Sequence, residues 1–253
     1  MLKAVPSAPR SYGGVEKTSP PPAARAYDVL AGKWDSLYVD RRAVAEDAFT
    51  YGLVADMLSG GSVLDAACGT GALLDHVSIP LASYLGVDIS TGMLDVARQR
   101  HPGYRFRQES MVELSGISEH FMDAVFSPYC GFSYLTAPDA AWSAAREFHR
   151  ILKAGGLLMV MVYGAKSREA HAYEVAVDGV QVPRQVWQPA EFAKLFQDAG
   201  FQQVQVRGLS YFVDRLPSTL PQWLFNAWVR AEAALLGRKF PGAGYFTYVT
   251  ARK

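Results

Sequence analysis

The chain has 253 residues, 50% of them hydrophobic, with 25 basic against 24 acidic side chains and a net charge of +1. That length and apolar content suit one large α/β domain, and the near-neutral balance supplies no field to gather nucleic acid, so a polynucleotide substrate is not expected. Two cysteines, Cys68 and Cys130, and no apolar run fit for a signal peptide or membrane span lead to the expectation of a cytoplasmic protein in reducing surroundings.

Residues 1–22 carry Pro6, Pro9, Pro20, Pro21 and Pro22 and few apolar side chains, the composition of an arm rather than of a packed element. Residues 23–253 are expected to form one domain. Strands are predicted over Ser62–Ala66, Tyr84–Asp88, Tyr104–Gln108, Ala124–Ser127, Leu157–Tyr163, Gln203–Arg207 and Tyr245–Arg252; helices are predicted over Ala72–Val77, Thr91–Arg100, Ala140–Leu152 and Pro189–Ala199. Strand and helix in strict succession imply an α/β, doubly wound, mostly parallel sheet. "LLMVMV" lacks alternation and is expected to be buried on both faces, while "YRFRQ" alternates aromatic with arginine and suits a sheet edge. Gly155 and Gly156 are expected to end the preceding helix. Before the last strand, residues 211–241 form a helical insertion. Its Leu220, Trp223, Leu224, Ala227, Trp228 and Ala231 recur as an apolar stripe, docked on the core, at a dimer interface, or as a lid whose Trp223 and Trp228 wall a pocket with Tyr211.

"VLDAACGTG" leaves the first strand where ligands of open α/β sheets bind. Leu74 stands where a dinucleotide fingerprint needs its third glycine, and Ala72-Leu73 lack the lysine and hydroxyl of a phosphate loop. A ligand wanting close backbone approach beside negative charge remains. Asp65 lies at the first strand tip, and Asp88 ends the second, from where a carboxylate can accept both ribose hydroxyls. A nucleoside carrying a cation, such as S-adenosylmethionine (SAM), suits both.

"VLDAACGTG", "GVDIS", "FMDAVFS" and "LKAGGLLMVMVYG", in that order, resemble the successive motifs of the class I SAM-dependent methyltransferases. The resemblance implies a Rossmann-like seven-stranded sheet with an antiparallel last strand, N-terminal lid helices over residues 23–60, and S-adenosylhomocysteine as product. It places Asp65, Ala67, Gly69 and Gly71 at the amino-acid part of SAM, Asp88 at the ribose, and Ile89 and Met93 beside the adenine. Ser110 and Met111 take the position of the family's adenine contact, and Ser127 lies at the floor below the methyl group. "YDVLAGKWDSLYVDRRA" resembles lid helices of small-molecule members, with Tyr27, Trp34 and Tyr38 closing over the methionine end and Arg41 or Arg42 meeting its carboxylate. Packing of an amphipathic helix explains the same aromatics.

"FSPYCGFSYL" follows the fourth strand. Tyr129, Cys130 and Phe132 are expected to border the acceptor, the aromatics as a wall for an apolar molecule and the sulfonium. Methyl transfer is an in-line displacement, so the protein aligns the partners and, where needed, removes a proton. His171, in the loop after the fifth strand, and Tyr129 are the candidates for that step. No metal is expected. The expected function is methyl transfer to a small, apolar or aromatic molecule at oxygen, nitrogen or carbon, by a monomer or homodimer. The alternatives are a SAM-binding protein catalysing a non-methylating cyclisation, or a non-catalytic subunit.

Overall fold

The computed structural model describes residues 21–37, 39–58, 60–165 and 182–253. Tyr38, His171 and most of the proline-rich arm lie outside the described residues. Helix α1 (Pro22–Leu30) carries proline in its first turn, where a backbone N–H has no helical partner, and a 3-10 segment, Ala31–Leu37, follows. Helix α2 (Arg41–Met57) begins on Asp40, whose carboxylate accepts from the Arg42 and Ala43 amides at 2.9 Å each.

The alternating region then runs β1 (Val63–Ala66), α3 (Leu73–His76), β2 (Tyr84–Asp88), α4 (Thr91–Arg100), β3 (Arg105–Gln108), β4 (Met122–Ser127), α5 (Ala140–Ile151) and β5 (Leu152–Tyr163). It closes with α6 (Pro189–Asp198), β6 (Gln202–Leu209), α7 (Gln222–Leu235) and β7 (Phe246–Arg252). The seven strands form one sheet in the order β3-β2-β1-β4-β5-β7-β6, parallel except for β7, which opposes both β5 and β6. This is the doubly wound sheet implied by the motifs, with β3 at one edge.

Successive strand residues point to opposite faces, so neighbours such as Val63 and Leu64 enter different cores. On one face Tyr51 and Val54 of α2, Leu94 of α4 and Phe225 and Val229 of α7 pack against Phe126, Met159 and Met161. On the other, Phe148 of α5 and Phe192 and Phe196 of α6 cover Leu64, Val125, Leu158 and Val160. Residues 158–162 are buried throughout, as a strand covered on both faces requires.

The structure corrects two expectations. Strand β5 starts at Leu152 rather than Leu157, because Leu152 already pairs with Met122 and the Gly155 amide donates to the Lys253 carbonyl at 2.8 Å. Gly155, at φ 75°, bends a strand paired on both sides instead of ending a helix. The tryptophan stripe of α7 faces outward: Trp223 is 66% and Trp228 42% exposed, while Phe225, Val229, Glu232 and Ala233 face inward. The buried Glu232 decides this orientation. Its carboxylate accepts from the Tyr211 amide at 3.0 Å, the Phe212 amide at 2.7 Å and the Trp228 indole N–H at 2.7 Å, so α7 pins the turn that leaves β6. Glu232→Ala strands these donors and should lower the unfolding free energy by about 2–4 kcal/mol in urea titrations. Glu232→Gln, which keeps one acceptor oxygen, should recover part of the loss; an unchanged midpoint in the alanine variant would contradict this role.

Candidate active site

The strand order reverses between β1 and β4, and the crevice beyond their carboxyl ends holds the glycine turn. Ala67 (φ 59°), Gly69 (φ 53°) and Gly71 (φ 82°) all adopt left-handed backbone, which only glycine takes without strain. A side chain at Gly69 would meet no atom within 4 Å, so that side of the turn is open to close approach by a ligand. The Gly69 amide donates to Asp88 Oδ2 at 2.9 Å and the Ser90 amide to Oδ1 at 2.9 Å. Both oxygens keep a lone pair for a further donor, as two ribose hydroxyls would supply. Burial raises the Asp88 carboxyl above its ordinary value, against the lowering effect of these amides.

Asp65 is 1% exposed. Tyr84 donates to its Oδ2 at 2.9 Å, whereas Oδ1 is buried without a partner. Burial, with the Asp88 charge adding to it, pushes the Asp65 carboxyl up to about 7. A cation beside Oδ1 would restore the ionised form. An orphaned carboxylate oxygen, an open glycine turn and a fixed acceptor pair together fit the ammonium, amino-acid backbone and ribose of SAM.

The N-terminal segment covers this crevice through two aspartates that give no local sequence signal, their partners lying far along the chain. Asp28 of α1 accepts from Ser90 Oγ at 2.6 Å and the Gly92 amide at 2.8 Å, placing a carboxylate at the positive end of α4. Asp35 accepts from Thr70 Oγ at 2.9 Å, inside the glycine turn, and from Arg100 at 2.6 Å. Tyr27 meets Trp34 edge-on at 5.2 Å and Tyr134 at 5.6 Å, and Tyr27, Tyr134, Leu30 and Ile89 pack with Ala23, Ala26 and Val182 in a separate apolar cluster.

Met93 is fully buried on α4. Ser110 lies partly exposed beyond β3, and the Met111 side chain enters the core under the sheet. Glu109 is held by Arg107 and by the Gly116 amide, which withdraws its carboxylate. Arg41 donates to the Leu220 carbonyl and is thereby committed to joining α2 to the insertion rather than to a ligand carboxylate.

On the acceptor side, Ser127 Oγ is buried without a hydrogen-bond partner at the tip of β4. The Tyr129 hydroxyl donates to Asp47 of α2, and its ring lies 5.6 Å from Tyr51 and 6.4 Å from Phe246. Burial raises the Tyr129 phenol well above its ordinary value, so it stays protonated and serves as wall and donor. Cys130 is buried, and burial likewise raises its thiol, which leaves it unreactive.

Several expected pocket residues are elsewhere. Phe132 is buried between Phe148, Trp187, Phe192 and Phe196, because the turn after β4 folds down onto α5 and α6. Tyr211 is buried with its hydroxyl donating to the Phe240 carbonyl at 2.8 Å. Trp223 and Trp228 face solvent.

In their place α2 contributes Glu46, next to Asp47. Its carboxyl is raised to about 7, chiefly by burial and then by Asp47 and Asp40, while Arg42 opposes. The Ser210 hydroxyl, buried and left-handed at φ 63°, sits beside it without full hydrogen-bond geometry. Asp47, the neighbour of Glu46, accepts from the Tyr129 hydroxyl, which joins this part of α2 to the turn after β4. Glu46 and Asp47 lie in a helical stretch of mixed charge that resembles any solvated face, and no local pattern marks them.

Residues 63–156 match the methyltransferase domain family. Among curated proteins, a demethylmenaquinone methyltransferase of Chlorobaculum parvum is 27% identical over 168 residues, 56% of this chain and 66% of that protein. A ubiquinone biosynthesis O-methyltransferase of Paracidovorax citrulli is 28% identical over 205 residues, 73% of this chain and 83% of that protein. The chain thus spans about two thirds of the length of the Chlorobaculum relative. Among solved structures, a SAM-dependent methyltransferase from Thermotoga maritima superposes with a TM-score of 0.64 at 19% identity, covering 90% of this chain and 99% of that one. A phosphoethanolamine N-methyltransferase from Haemonchus contortus, crystallised with SAM, has a TM-score of 0.56 at 16% identity over 91% of this chain and 56% of its own. With the strand order, the open glycine turn and the Asp65 and Asp88 carboxylates, these likenesses support a class I SAM-dependent methyltransferase, the superposition itself speaking for the fold.

Proposed function

We propose that this methyltransferase acts on a small, apolar or aromatic acceptor bearing an ionisable hydroxyl, and that Glu46 takes the acceptor's proton. The observation that carries this reading is the pairing of α2 with the turn after β4, where Tyr129 donates to Asp47 and packs 5.6 Å from Tyr51, beside the neighbouring Glu46 carboxyl that burial has raised to about 7. The names of the two curated relatives, both concerned with quinones, support an aromatic acceptor.

When bound, SAM supplies a methyl carbon activated by its sulfonium. Asp88 holds the ribose, and Asp65 receives the ammonium on its unpartnered oxygen. Tyr27 and Trp34, fixed by the Asp28 and Asp35 contacts, exclude water from the crevice. Tyr129, backed by the buried Tyr51, would align the acceptor ring. Glu46 would take the acceptor's hydroxyl proton and pass it to water. A base whose pKa lies near the working pH suits both halves of that transfer.

Two pH dependences separate the carboxylates. Asp65 must be ionised to hold the ammonium, and its pKa in the free protein is raised to about 7. Affinity for S-adenosylhomocysteine should therefore rise with pH and level off above 7, with a loss of up to about tenfold per unit on the acid side. Titrations in buffers from pH 5.5 to 8.5, on roughly that scale, read this directly, and Asp65→Asn should flatten the curve. The same linkage makes the ligand-free protein lose stability between the ordinary carboxylate range and pH 7, because the native state keeps a proton the unfolded chain releases.

Glu46 should instead appear in turnover. With methyl-labelled SAM and a panel of hydroxylated aromatics, kcat should fall below pH 7, and Glu46→Gln should lower it by about 10²–10⁴-fold at pH 8 while leaving S-adenosylhomocysteine affinity unchanged. A variant with undiminished turnover would remove Glu46 from the mechanism. No labelled product from any of the panel, with tight cofactor binding intact, would count against the acceptor class.

A further inference from the structure

The outward face of α7 is apolar and basic at once. Trp223 is 66%, Trp228 42% and Leu235 73% exposed, and Phe240, just beyond the helix, is 48% exposed. Ala227, Ala231 and Ala234 lie exposed between them, and Arg230, Arg238 and Lys239 are exposed beside them. Its one acidic residue, Glu232, is turned inward and committed to the Tyr211, Phe212 and Trp228 donors, so the outward surface of α7 carries no negative charge. The inward face is already filled by Phe225, Val229 and Ala233 against the core. Trp223 and Leu235 are therefore surplus to folding, and a monomeric protein surface rarely groups such residues without a partner.

We propose that this face docks on an anionic lipid surface, with α7 lying in the headgroup plane. Tryptophan favours that depth, since its ring is apolar and its N–H polar, and arginine and lysine reach lipid phosphates around it. A second copy of the chain suits the face less well. A twofold contact would set Arg230 and Arg238 against the same residues of the other copy, with no carboxylate on the face to answer them. None of the described helices is long and apolar enough to cross a membrane, so the contact is one of lying on the bilayer. The inference concerns binding alone and holds whether or not the acceptor class proposed above is right.

Co-sedimentation of the full chain with vesicles of equal parts phosphatidylglycerol and phosphatidylcholine, beside vesicles of phosphatidylcholine alone, tests it. The expected result is strong partition to the anionic vesicles, with a blue shift of tryptophan emission, and weak partition to the neutral ones. The double variant Trp223→Ala with Leu235→Ala should weaken partition about tenfold or more, and so should Arg230→Gln with Arg238→Gln and Lys239→Gln. Neither set touches the cofactor crevice, so unchanged S-adenosylhomocysteine binding certifies that each variant is folded. Equal partition to both vesicle types, no partition to either, or native partition by both variants would overturn the proposal. So would a dimer in sedimentation velocity that Trp223→Ala dissolves in a protein that ignores vesicles.

Discussion

The hydrogen bond from the Gly69 amide to the Asp88 carboxylate joins the tips of β1 and β2, and the site is arranged around it. It can form only because Gly69 takes a left-handed conformation that turns its N–H toward β2. The same bond leaves the far side of the turn without a side chain, and orients the carboxylate for ribose hydroxyls. A second buried carboxylate, Asp65, lies close enough for Asp88 to raise its pKa further. Two acidic groups in one crevice are costly unless a cation arrives. The ligand-free site is thus built at the expense of stability, which the proposed binding of a cation beside Asp65 would relieve.

The N-terminal segment exploits that arrangement rather than adding to it. Asp28 caps the start of α4 and Asp35 grips Thr70 and Arg100, so the cover attaches to both sides of the crevice by side chains alone. These contacts place Tyr27 over Ile89 and Tyr134. On the opposite side, Glu232 of α7 holds the turn after β6, which brings Ser210 beside Glu46. Cover and insertion each use carboxylates to fix a segment beside the sheet, the half-buried Asp28 and exposed Asp35 on one side and the buried Glu232 on the other.

The sheet was legible because its signals are local. The apolar run over residues 158–162 and the alternation of "YRFRQ" each report burial within a few residues, and the glycine turn reports a backbone constraint. The acceptor side was not, because its determinants are tertiary. The inward face of α7 includes a glutamate, so a reading by hydrophobicity chose the tryptophan face instead. Phe132 looked like a pocket residue by its place after β4, but the direction of that turn sends it into the core between α5 and α6. Glu46, Asp28 and Asp35 carry no pattern at all until folding brings Ser210, Ser90 and Thr70 to them.

The central claim is that the turn and its two aspartates hold an adenosyl amino acid. Calorimetric titration of the full chain with S-adenosylhomocysteine and with NAD, beside Asp88→Ala, tests it most directly. The account predicts binding of S-adenosylhomocysteine in the micromolar range, none of NAD, and a loss of about tenfold or more in the variant, the scale of a charge-assisted hydrogen bond. Binding of NAD, or S-adenosylhomocysteine affinity unchanged by Asp88→Ala, would contradict it.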